Sequence, residues 1–362
     1  MLYYQDNGLT SHESFLLKSI YSAVIIMLEI PSGYFADKMG RKNTLVIGAI
    51  MGVAGMSVYA LFGGFWAFLL AEIALGISQS FVSGSDSALM YDSLLADHQQ
   101  GKYTKFEGRN TAIGNGAESL AAILGGLLAE VSFRLPFMVQ TGIAFIAVPA
   151  ALTLIEPPNL RQGHESLRHT FQVVKRSILA RHHLRYYLLF SSVIGACTLT
   201  MAWIYHPYLK ESLNISLYQI GIIAAVLNMI AAVFSATAYR ITQLFSKRHV
   251  LLLIGILIPL SYVTIGVLDN VWVLGVLAFF YLLRGIATPV LKDYVNMNTP
   301  SDIRATVLSV RNFVIRAVFI VAAPAIGFLT DGFGYPFAFM AIGVLFFILS
   351  FMLLLKKESS RA

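Results

Sequence analysis

The feature that most restricts this chain is a run of about twenty apolar residues, long enough to cross a hydrocarbon layer, that recurs along almost its whole length. Eleven such runs can be marked, at 14–36, 43–62, 66–94, 106–131, 136–155, 186–208, 216–239, 249–268, 271–295, 305–330 and 335–355. Backbone N–H and C=O groups cannot be left unpaired in lipid, so the runs must be helices; barrel strands would alternate over about ten residues and read far less apolar. Of 362 residues, 57% are hydrophobic, against roughly 45–50% in a soluble domain. The expected class is an all-α polytopic membrane protein of about eleven spans.

The formal net charge is +7. A nucleic-acid surface would need that charge gathered on a soluble face, whereas here Lys and Arg fall into short loops between apolar runs. Twenty of the 26 lie on one side, beginning with Lys38, Arg41 and Lys42 and ending with Lys356, Lys357 and Arg361, while only Lys18, Arg134 and Lys210 lie on the other. By the positive-inside rule, the loop 33–42 and the C-terminus face the cytoplasm and Met1 faces outward. The expected location is the cell membrane. The single cysteine, Cys197, sits in an apolar run where packing is its expected role. Residues 1–13 lack the basic and apolar regions of a signal peptide.

Most connections are short, so consecutive helices should be antiparallel neighbours. The exception is 156–185, read as a cytoplasmic linker between an N-terminal half, 1–155, and a C-terminal half, 186–362. Within the linker Leu167, Phe171, Val174 and Ile178 recur at helical spacing opposite Arg168, Lys175, Arg176 and Arg181, which predicts an amphipathic helix.

The chain also resembles itself at an offset of 206. Leu9 and Thr10 meet Ile215 and Ser216, Arg41 and Lys42 meet Lys247 and Arg248, and Leu45 meets Leu251. Two halves of similar plan follow. Shifted back by 206, the run 186–208 would fall before Met1, so the first half reads as lacking its opening helix, with twelve helices as the complete plan.

Residues 33–42, "GYFADKMGRK", place a Gly, three residues, Asp, two residues, Gly and two basic residues after the first run. With Gly33, Asp37, Gly40, Arg41 and Lys42 in these positions, the chain resembles the major facilitator superfamily, whose members are built from two six-helix halves. The resemblance implies a transporter in which this loop is a latch and a carboxylate at the cytoplasmic end of the fourth family helix partners the Arg. Asp92 in "MYDSL" is the matching candidate. Gly33 is expected to allow close helix approach, Gly40 a tight turn, and Asp37 a cap on a neighbouring helix. The second-half copy, "YRITQLFSKR", has Gln243 where Asp is expected, so a latch there would be degraded. The fifth family helix, "GNGAESLAAILGGLLA", has Gly125 and Gly126 without the Gly-Pro of many drug antiporters.

Ionisable side chains inside spans usually face a cavity or a partner. Here the acids, Glu29, Glu72, Asp86 and Glu118, lie in the first half and the bases, Arg284, Arg311 and Arg316, in the second. At ~1.5 Å per residue, Glu29 stands ~12 Å above Asp37 and Arg311 ~10 Å above Arg304. The resemblance implies that the second and eleventh family helices, which bear them, adjoin across the two halves, so their common depth makes Glu29 and Arg311 a candidate gating pair, with Arg316 the alternative base. Glu72, Gly76, Gln79, Ser83 and Asp86 recur at steps of three and four and predict one polar stripe lining a cavity; Tyr281, Arg284 and Thr288 form a shorter one. A carboxylate in a dry site can hold its proton toward neutral pH, which makes Glu29, Asp86 and Glu118 candidate proton carriers.

A secondary transporter of a small solute, coupled to an ion or proton and working as a monomer, is the leading expectation, and a truncated, inactive relic the competing one. No Gly-rich phosphate loop ends in Gly-Lys-Ser/Thr, no Gly-x-Ser-x-Gly occurs, and the eight histidines are scattered, which disfavours an ATPase or a membrane enzyme. No cofactor and no metal site are expected.

Overall fold

The structure is a computed structural model, and it describes residues 1–83, 85–99, 102–157, 182–299 and 304–359. Twelve helices are described: α1 (Leu2–Asp6), α2 (Ser11–Met39), α3 (Arg41–Leu61), α4 (Phe65–Val82), α5 (Ser85–Ala96), α6 (Tyr103–Val131), α7 (Leu135–Thr153), α8 (His182–Glu211), α9 (Leu217–Leu244), α10 (Lys247–Leu268), α11 (Val273–Met297) and α12 (Arg304–Ser359). Every predicted span carries helix. The run 66–94 is broken between α4 and α5, and α12 holds the last two runs, joined where Gly334 takes a positive φ of 80°. Eight of the described helical stretches are long and apolar enough to cross a membrane, α12 counting once. The predicted linker helix lies outside the described residues.

The chain divides into two compact units, one of residues 1–163 with 216–222, the other of 164–215 with 223–362. In the first, α3 packs along α4 through Gly48, Gly52 and Gly55. A Cβ at Gly55 would come within 2.7 Å of Leu75 and 3.1 Å of the Ala71 carbonyl. Small residues of this spacing let two helices approach where lipid offers no hydrophobic drive to pack them. Tyr3, Tyr4, Leu17, Tyr59, Phe68 and Ala71 form the buried cluster at one end of this unit. In the second unit α10 packs against α12 in the same manner: Ser350 donates to the Gly255 carbonyl at 2.6 Å, and Tyr262, Phe280, Phe339 and Phe346 fill the interior. Cys197 is fully buried there, its carbonyl taking the Tyr262 hydroxyl at 2.6 Å.

The 206-residue repeat reappears as matching helix starts. At α2, the Thr10 side chain accepts from the Glu13 N–H while Glu13 accepts from the Thr10 N–H, a reciprocal capping box. At α9, Ser216 and Gln219 do the same, at 3.3 and 3.1 Å. The α2–α3 and α9–α10 junctions also correspond, but differ in chemistry. Ser246 caps α10 with its own side chain, whereas its counterpart Gly40 has none to offer α3.

Candidate functional site

Two polar centres are built into the first unit, one at each end of its helices. At the loop end, Gly40 turns the chain from α2 into α3 with φ +90°, a conformation that strains any residue with a Cβ. The uncapped start of α3 is met from far along the chain by Glu156, just beyond α7. Its carboxylate accepts the Arg41 N–H at 2.9 Å and the Lys42 N–H at 2.6 Å. A negative group at a helix N-terminus satisfies orphan donors and meets the positive end of the helix dipole. A Cβ at Gly40 would lie 3.1 Å from Glu156 Oε2, so the glycine serves the turn and the carboxylate together.

The Arg41 side chain, buried to 9% exposure, pairs with Asp92 of α5 and also donates to the Ala88 carbonyl at 2.5 Å. Both partners belong to one unit, so this pair joins α3 to α5 within it. The sequence brought Arg41 and Asp92 together but had no sight of Glu156. The Asp37 side chain lies outside the described residues. At Gly33 an added Cβ would meet nothing within 4 Å among the described residues. Lys42 is half-buried beside the cap.

The other centre surrounds Glu72 on α4, whose side chain is 1% exposed. Its Oε1 receives the Tyr59 hydroxyl at 2.6 Å, the Lys18 ammonium at 2.5 Å and the Tyr4 hydroxyl; the Tyr4 and Tyr59 oxygens also touch each other. Its Oε2 is buried with no hydrogen-bond partner among the described residues. The Lys18 ammonium sits 5.3 Å from the centre of the Tyr4 ring and 5.8 Å from that of Tyr21, within cation–π range. Lys18, counted from the sequence as an outer-side charge within the run 14–36, has a side chain only 12% exposed on α2, because its stem can lie along apolar surface while its head finds a carboxylate.

The single stripe predicted over 66–94 is not continuous. Glu72 is enclosed by α1, α2 and α3 residues, and a Cβ at Gly76 would meet Val24 at 2.8 Å and the Tyr21 carbonyl at 3.2 Å. That face is a helix contact. The helix then ends at Ser83, with ψ 120°. Beyond the break, half-buried Asp86 lies in the first turn of α5 and accepts from the Ser87 N–H at 2.7 Å. Gln79 and Glu118 are exposed, and Glu29 is half-buried.

In the second unit, Arg311 donates to the Ser191 hydroxyl, and its carbonyl accepts from Ser192 at 3.4 Å. Half-buried Arg284 lies with its guanidinium 5.1 Å from the Tyr281 ring. Tyr281 is buried and meets Tyr205 edge to face at 5.9 Å. Thr288 donates to the Arg284 carbonyl at 2.9 Å, and Arg316 is half-buried on α12. Among the described residues no three His, Cys, Asp or Glu side chains gather to hold a metal.

Known proteins give this architecture a context. Quinolone resistance protein NorA of Staphylococcus aureus (strain MSSA476) is 25% identical over 224 residues, 61% of this chain and 55% of that protein. The chain thus spans little more than half the length of that relative. The MFS-type transporter YxaM of Bacillus subtilis (strain 168) is 22% identical over 92% of this chain and 84% of its own. Among solved structures, that of the nucleoside transporter NupG matches with a TM-score of 0.79 at 14% identity, over 97% of this chain and 91% of the other. A D-xylose–proton symporter matches with a TM-score of 0.71 at 17% identity, over 96% and 89%. The family model described as Major Facilitator Superfamily matches residues 1–206 and again 188–362. With two matched halves, the helical bundle and the loop at 33–42 in agreement, this multi-pass membrane chain belongs to the Major Facilitator Superfamily, a family of transporters rather than enzymes.

Proposed function

We propose that the chain moves a small solute across the cell membrane by alternating access, coupled to a proton or other ion gradient. The observation that carries the coupling is Glu72: a carboxylate cut off from water, with three donors on one oxygen and, among the described residues, none on the other. Arrival of a proton or of a solute donor at Oε2 would meet its unmatched need and loosen its hold on Lys18. Such a change of partners inside a dry site is how an intramembrane acid can report occupancy to the helices that bear it. The quinolone resistance in the name of the staphylococcal relative supports a small organic solute.

In this reading the loop 33–42 and the C-terminus are cytoplasmic, and the protein acts as a monomer. The Arg41–Asp92 pair and the Glu156 cap hold the loop in one arrangement. Glu29 and Arg311 form a pair that breaks and re-forms as the transporter changes state, with Arg316 as the alternative base.

Reconstitution into proteoliposomes tests the reading. A quinolone and a panel of radiolabelled sugars, amino acids and organic acids are offered under an imposed pH gradient. At least one solute should move uphill while the gradient lasts and stop when a protonophore collapses it. Glu72→Gln should keep downhill movement and lose uphill movement. Uphill movement unchanged in that variant would remove Glu72 from the coupling, and no movement of any solute by the intact chain would remove the transport reading.

A further inference from the structure

We infer that Trp66 and Trp272, at repeat-related positions in the two units, are lipid anchors. Each seats its indole at the headgroup boundary of the bilayer, at the interface away from the basic starts of α3 and α10, and donates its N–H to lipid ester or phosphate oxygens. The partner is the bilayer itself, whichever solute is carried.

The offset of 206 that carries Arg41 and Lys42 onto Lys247 and Arg248 also carries Trp66 onto Trp272. Between each basic pair and its tryptophan lies one helix, α3 of 21 residues or α10 of 22. At ~1.5 Å per residue these helices are ~32 and ~33 Å long, against a hydrocarbon core of ~30 Å. Arg41 is engaged with Asp92, so half-buried Lys42 and exposed Arg248 carry the charge that marks one interface. One helix length further on, each tryptophan reaches the other interface.

Both indoles point away from protein, Trp66 at 75% exposure and Trp272 at 76%. Beside them Leu61 and Phe62 in one turn, and Val267 and Val271 in the other, are exposed as well. No Asp, Glu, Lys, Arg or His occurs between Lys42 and Glu72, and Asp269 alone occurs between His249 and Arg284. In water these turns would be bare apolar patches. They instead continue the apolar exposed surface of their own helices, where Ile50 and Leu70, Leu253 and Leu260 face outward. A protein partner would read one such patch, whereas a bilayer meets the same turn in each unit, which favours lipid over a second copy of the chain. Neither indole N–H has a hydrogen-bond partner among the described residues. A ring with an apolar body and a donor on its edge settles where hydrocarbon gives way to headgroups.

Each turn is also held from behind. A Cβ at Gly63 would come within 2.5 Å of Asn7 Oδ1, and Asn7 in turn donates to the Tyr3 carbonyl at 2.9 Å, which ties the Trp66 turn to α1. In the second unit Asp269 accepts the Tyr208 hydroxyl at 3.1 Å, and the Trp272 N–H meets Asn270 Oδ1 at 3.0 Å, which ties that turn to α8. The rings therefore stand outward on fixed supports.

The full chain is reconstituted in phosphatidylcholine–phosphatidylglycerol nanodiscs with lipids bearing a nitroxide at the headgroup, the fifth or the twelfth acyl carbon. The third tryptophan, Trp203, is half-buried in α8; Trp203→Phe combined with Trp272→Phe or with Trp66→Phe leaves one turn emitting at a time. Headgroup and fifth-carbon probes should quench each turn at least about twofold more than the twelfth-carbon probe, and aqueous iodide should quench each about twofold less than it quenches free tryptophan. Size exclusion checks each variant. If Trp203→Phe is not monodisperse, Trp203 is kept and each turn is read as the difference between the intact chain and Trp66→Phe or Trp272→Phe, whose side chains pack against little. Strongest quenching by iodide would put a turn in water, and strongest quenching by the twelfth-carbon probe would put it in the core. Shielding from iodide and lipid probes together would mean that protein, such as a second copy, covers it. Any of these at either turn overturns the inference. The readout needs no flux, so it stands or falls apart from the transport reading.

Discussion

Removing one half of the Lys18–Glu72 pair should be far more damaging than removing both. The two side chains are 12% and 1% exposed, so either single variant leaves a charge without its opposite in a place water does not reach. Breaking a buried pair in this way costs about 3–5 kcal/mol. The lower end applies to Lys18→Met, because Tyr4 and Tyr59 still donate to Glu72. Glu72→Leu strips Lys18 of its carboxylate but leaves the Tyr4 and Tyr21 rings near it, so about 3 kcal/mol is expected there as well. In the double variant no charge is left buried, and two apolar side chains replace the pair at a cost of about 1 kcal/mol for lost hydrogen bonds from the two tyrosines. The double cycle should therefore show a coupling of several kcal/mol, large for a contacting pair. For a unit of this size each kcal/mol moves the melting temperature by roughly 2–4 °C, so each single variant should melt about 10 °C lower and the double should recover most of that. The assay is thermal unfolding in lipid nanodiscs. A double variant as unstable as the worse single, or singles within about 2 °C of the intact chain, would show that the attraction between Lys18 and Glu72 does not hold α2 to α4.

At the loop end, Glu156→Ala should lower stability by about 1–2 kcal/mol, the worth of a helix cap with its dipole contribution, and Glu156→Gln by less, since an amide oxygen still accepts; melting curves of the three proteins check the order. Exchanging the proposed gating charges in Glu29→Arg with Arg311→Glu should transport better than either single reversal in the proteoliposome assay, and equal or worse transport would separate the two residues.

The apolar runs were legible because lipid admits only helices, and every run does carry one. The Arg41–Asp92 contact was legible because the loop pattern around Arg41 is distinctive and its partner stands at a fixed place on the fourth family helix. Glu156 was not, because it sits 115 residues from Arg41 and a lone Glu after a helix has no periodic signature. Lys18 was counted only as an outer-side charge, and a rule that counts charge near span ends cannot tell a lysine in water from one whose ammonium has found Glu72 54 residues away. The interruption at Ser83 hid for a different reason: serine at a helix end and serine within a polar stripe look alike when only spacing is read.

The paired boxes, Thr10 with Glu13 and Ser216 with Gln219, depend on nothing beyond three residues of chain. Each fixes where its helix begins before any distant segment has arrived. As the polypeptide is threaded into the bilayer, the first and second copies can each set their rotational phase alone, so a mistake in assembling one bundle need not be handed on to the next.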